Sequence, residues 1–92
     1  MKIVVNKCYG GFSISDKAAH GLGITKEGRY NIRRDDPTLI EAIERFGSEY
    51  ASGLFAQLEI VDLPSNMTDW MIEEYDGYET VYYVVNGIIH TA

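Results

Sequence analysis

The chain has 92 residues, 14 acidic against 8 basic, for a formal charge of −6. That balance excludes broad gripping of a nucleic-acid backbone, which needs a lysine- and arginine-rich face. One cysteine closes no intrachain disulfide, which points to a reducing compartment. "MKIVVNK" lacks the layout of a signal peptide, and no stretch is long and apolar enough to span a bilayer, so a cytoplasmic protein with no membrane partner is expected. Ninety-two residues predict one domain with a thin core, burying roughly 60–65% of the unfolded surface. Seven tyrosines help fill that core and leave rings to cover an edge, a pocket or a subunit contact, so a homo-oligomer is expected.

In chain order, "KIVVNK" (2–7) is short and β-branched and predicts a first strand buried in the sheet. Gly10 and Gly11 break it. Ser15 is a good N-cap with Asp16 suited to the helix dipole, and Gly21 and Gly23 limit the helix that follows to about two turns. "GRYNI" (28–32) reads as a short edge strand. In "RRDDPTLIEAIERFG", Asp36 caps, Pro37 fits the first helical position and Asp35 suits the dipole. Leu39, Ile40, Ile43 and Phe46 fall on one face of a helix that Gly47 ends.

"SEYASGLF" (48–55) reads as a loop or a helical turn. "AQLEIVDLP" (56–64) alternates as a strand, with Leu58, Ile60 or Val61, and Leu63 reaching the core. Asp76–Gly77 predicts a two-residue hairpin turn between strands near 69–75 and 78–85. Asn86–Gly87 predicts a second turn into a last strand, "IIHT". The order β-α-(β)-α-β-β-β implies an α+β fold: a small mixed sheet of four to five strands with two helices on one face.

Catalysis finds little support in these residues. Cys8 lies beside Lys7 near a helix start, which would lower a thiol pKa, but a nucleophile also needs a base, and only His20 and His90 are available. A buried structural cysteine is the expectation. One cysteine, two distant histidines and scattered carboxylates match no metal-ligand spacing, and no cofactor is implied.

Binding is better served. In "YGGFS" (9–13), glycines allow close backbone approach, and amides near a helix start can meet an anion. The alternative is a tight structural turn, since no phosphate-loop lysine follows. Tyr9 and Phe12 could stack on a base or belong to the core. Arg29, Arg33 and Arg34 form the one basic spot. Arg34 could fork onto a phosphate or pair with a neighbouring acid. Tyr75 and Tyr78 flank the hairpin turn and could line a pocket or support the hairpin. The candidate ligand-binding set is thus Tyr9, Gly10, Gly11, Phe12, Ser13, Arg33, Arg34, Tyr75 and Tyr78.

"KCYGGFSIS", "RDDPTLIEAIERFG", "LEIVDLP" and "WMIEEYDGYETV" together resemble a family of small proteins of bacteriophages and prophages. Its opening usually continues into a longer helix than "SDKAAHG" allows, and its tail ends in charges and a tryptophan where this chain has "YYVVNGIIHTA". The resemblance implies a viral protein acting in the host cytoplasm, a setting in which small proteins counter host defence. The expected function is a non-catalytic binder that sequesters a small, anionic, nucleotide-derived defence signal. The alternative is an inhibitor that occupies a basic site on a host defence protein through an acidic surface.

Overall fold

A computed structural model describes residues 1–24, 28 and 32–92. The predicted strand at 28–32 and the basic residue Arg29 lie outside the described residues, Gly28 and Ile32 excepted. Among the described residues five strands, β1 (Lys2–Asn6), β2 (Leu58–Asp62), β3 (Asp69–Tyr75), β4 (Tyr78–Val85) and β5 (Ile88–Thr91), accompany three α-helices, α1 (Asp16–Leu22), α2 (Pro37–Phe46) and α3 (Ser48–Ala51). The fold is α+β, as expected. The strands form two antiparallel sheets rather than one, β1–β2 and β3–β4–β5.

The division follows from burial. Val4, Leu58 and Ile60 pack with Ile14, Ala18, Ala19, Leu39, Ile43 and Ala51 from the helical side. Ile3, Val5 and Val61 face the other way, against Leu63, Ile72, Val81 and Tyr83. The two-stranded sheet is therefore a middle layer covered on both faces, which is why "IVV" is apolar without alternation. Both helices predicted from the sequence lie on one side of it, and the three-stranded sheet covers the other.

Local signals produce the element ends. The Ser15 hydroxyl accepts from the Ala18 amide at 3.1 Å and donates to the Tyr50 carbonyl at 2.6 Å. Asp36 Oδ1 accepts from the Thr38 and Leu39 amides, both at 2.9 Å, so one carboxylate satisfies two of the orphan donors of α2. Phe46 departs from its expected place in the core. It is 59% exposed because α2 ends there, and its ring lies on Tyr50 at 4.8 Å instead. Ser48–Ala51 is the helical turn anticipated as one option for that segment. Asp76 and Gly77 (φ 50° and 87°) and Asn86 and Gly87 (φ 51° and 76°) make two left-handed two-residue turns, which match the twist of the strands they join.

Candidate functional site

The glycine turn after β1 and the tip of the β3–β4 hairpin are packed together backbone on backbone. A Cβ at Gly77 would overlap the amide nitrogen and Cα of Gly11, and one at Gly10 would overlap the backbone of Phe55. These glycines allow three chain segments to meet, which a side chain on any of them would prevent.

Asn6 holds the junction from inside. It is completely buried. Its Nδ2 donates to the Cys8 carbonyl at 2.6 Å and to the Gly77 carbonyl at 2.7 Å, while its Oδ1 accepts from the Gln57 amide at 2.8 Å. Both amide donors and the acceptor are used, so the buried side chain carries no desolvation penalty for an unmade bond. Cys8, expected to be buried, is half-buried instead, because β1 has ended and the chain is turning outward.

Arg34 closes the outer edge of β1. Its Nη1 and Nη2 fork onto Glu79 Oε1 and Oε2 at 2.5 and 2.6 Å, Nη1 also reaches the Val4 carbonyl at 3.2 Å, and its own carbonyl accepts from the Val4 amide at 2.8 Å. Glu79 Oε1 accepts from the Asn6 amide at 2.8 Å. An ion pair thus satisfies edge groups of β1 that a neighbouring strand would otherwise pair, and it joins the two sheets where no ladder does. The Arg34 guanidinium also lies 3.7 Å above the Phe12 ring. Its partner acid is 45 residues away, not a sequence neighbour.

The nine candidate residues consequently separate. Phe12 is half-buried beneath Arg34. Ser13 is 9% exposed, its carbonyl bonded to the Gly53 amide at 2.9 Å. Arg33 is exposed and forks onto Asp35 at 3.0 and 2.8 Å. Tyr9, Gly10, Gly11, Tyr75 and Tyr78, by contrast, do come together. The Tyr9 ring lies against that of Tyr78, tilted 34° with centroids 5.3 Å apart, Lys7 Nζ stands 5.2 Å from the Tyr78 ring, and Tyr75 lies opposite Tyr78 in the hairpin. The depression at the turn is lined by Tyr9, Gly10, Gly11, Glu74, Asp76 and Gly77, so its titratable neighbours include two carboxylates.

Two exposed residues escaped sequence reading, Phe55 against Gly10 and its neighbour Leu54. Leu54 is 81% and Phe55 71% exposed. Phe55 has φ 67°, a left-handed conformation rarely taken by bulky residues. The available signal was an apolar pair following Gly53 inside a loop. Among the described residues no group of three or more His, Cys, Asp or Glu is placed to hold a metal. His20 lies in the last turn of α1, and His90 stacks on Tyr83 at 5.2 Å. No described helix is long and apolar enough to cross a membrane. Compared with known proteins, the chain matches no family model, no curated protein and no solved structure.

Proposed function

We propose that this protein is a non-catalytic binding protein whose working surface is the patch around the two packed turns, and that its partner is a protein with a basic face. The observation that carries this reading is Phe55, held in a left-handed backbone and 71% exposed. That conformation costs about 1–2 kcal/mol for a residue with a Cβ, and burial of the ring does not offset it. Strain of this kind, spent to present an aromatic, marks a binding surface. Tyr9 (66% exposed) adds a ring beside Glu74 and Asp76, and Tyr75 (75%) one on the adjoining hairpin surface with Glu73 and Glu74. Aromatic anchors with a charged rim are the usual composition of a protein-recognition hot spot. In the phage setting implied by the family resemblance, the partner would be a host defence protein.

A second reading, a nucleotide-derived signal stacked among Tyr9, Tyr75 and Tyr78, draws support from the convergence of those rings at the glycine turn. It needs a cation for the phosphate. Arg34, the residue best suited to that role, has both terminal nitrogens on Glu79; Lys7, over the Tyr78 ring, donates to the Glu79 carbonyl at 3.0 Å, and two carboxylates line the turn.

Glu73 lines the hairpin surface with Tyr75 and Tyr78, so the test is co-purification from host cells with three proteins: wild type, Phe55→Gly, and a Glu73→Lys/Asp76→Asn double variant that keeps a turn-compatible residue at 76. A partner held by the wild type, released by rising salt and lost from both variants supports the proposal. A partner held equally by all three overturns it. Calorimetric binding of cyclic or linear nucleotides to the purified wild type would favour the second reading.

A further inference from the structure

The far end of the three-stranded sheet has a different chemistry. All four residues of β5 are exposed, Ile88 at 62% and Ile89 at 70%. Residues 80–92 carry no Asp, Glu, Lys or Arg, in a chain that has 22 such residues elsewhere. Among the described residues β5 pairs only with β4, in the register Val85↔Ile88 to Tyr82↔Thr91, which leaves its other edge without a described partner strand. The Ala92 amide donates to the Val81 carbonyl at 2.9 Å. By ladder alternation, the N–H and C=O of Ile89 and Thr91 therefore point away from β4. Natural edge strands are usually blunted by a lysine, a proline or a bulge, and β5 has none of these.

We infer that β5 is a self-association edge, and that two copies pair antiparallel through it about a two-fold axis to form a continuous six-stranded sheet. The antiparallel complementarity of the outward Ile89 and Thr91 groups fits a second copy, and charge permits one there. Two copies of net charge −6 repel, and this uncharged end is where they can approach without apposing side-chain carboxylates. Geometry gives the register: with the axis at His90, Ile89 pairs with Thr91 of the second copy and Thr91 with its Ile89. All four outward-facing backbone groups of each edge are then used. On the outer face, Ile89 stands beside Val84, and Thr91 continues the cross-strand row of Met71 and Tyr82. Met71 lies two strands in from the edge, so the apolar side chain that flanks the new ladder on this face is Ile89, 70% exposed.

Such a contact belongs at the small end of specific interfaces, below about 1,200 Å² in total, where association is in the micromolar range. The β5 edge reaches down β4 as far as Tyr82, about 14 Å from Tyr78 at the hairpin tip, and the two-fold axis sends the tips of the two copies to opposite ends of the sheet, so the recognition patch of each copy stays open in the dimer. The inference is independent of what those patches bind.

Sedimentation velocity at about 1 and 100 μM brackets a micromolar Kd. The wild type is expected to move from the 10.4 kDa chain mass towards twice that value. Thr91→Pro removes one outward N–H, a change that an open edge tolerates, and Ile89→Lys places a charge on the edge. Each should hold the protein monomeric at 100 μM with unchanged circular dichroism. A monomeric wild type at 100 μM overturns the inference. So does undiminished dimer in whichever of the two variants retains the wild-type spectrum.

Discussion

Replacing Glu79 by alanine tests whether the Arg34–Glu79 pair, rather than strand pairing, joins the two sheets. The Glu79 side chain is 6% exposed and that of Arg34 22%, so solvent screening discounts the pair little. Removing one member of a buried pair costs about 3–5 kcal/mol, because the remaining charge keeps its desolvation penalty without its partner. The Asn6 amide loses its acceptor as well, a further cost of about 1–3 kcal/mol that overlaps with the first. A domain of this size has roughly 5–14 kcal/mol in total at about 0.05–0.15 kcal/mol per residue, so Glu79→Ala should be strongly destabilised. The exposed Arg33–Asp35 pair is the control: Arg33→Ala should cost at most about 1 kcal/mol. Urea denaturation of Glu79→Ala, Arg34→Met and the double variant forms a cycle, and the coupling energy should exceed about 1 kcal/mol. The double variant should recover only part of the loss, since the Val4 carbonyl and Asn6 amide lose their partners. A Glu79→Ala loss below 1 kcal/mol, or a coupling energy near zero, would refute the reasoning.

Two further outcomes follow from the turns. Gly77→Ala should destabilise by about 2 kcal/mol or more, since it combines a left-handed backbone with overlap onto the Gly11 backbone; a loss no larger than that of Gly23→Ala, where only the backbone conformation is unfavourable, would show that the two turns do not touch. Phe55→Gly should leave stability unchanged or raise it by up to about 1 kcal/mol, because relief of the left-handed strain is partly offset by glycine's greater unfolded-state freedom. Thermal and urea unfolding would read this directly, and a loss above about 1 kcal/mol would mean that the ring stabilises the fold rather than serving a partner.

The sequence by itself determined the features whose causes lie within a few residues. The Asp36 cap, Pro37, the Ser15 cap and the two left-handed hairpin turns each depend on chemistry inside a four-residue window, and the elements they bound were legible for that reason. The α+β class followed from their order. Tertiary structure decided where segments distant in the chain meet. Arg34 reads equally well as an anion fork or as one half of an ion pair until Glu79, 45 residues on, is brought to it. Asn6 bonds across separations of 51, 71 and 73 residues, and no local pattern marks it as a hub. The glycine pair "GG" announced a close approach without saying to what, and the answer was the protein's own Phe55 and Gly77. Apolar periodicity likewise records that a strand is covered without recording by which layer, so the split into two sheets emerged only when both faces of β1 were seen to be occupied.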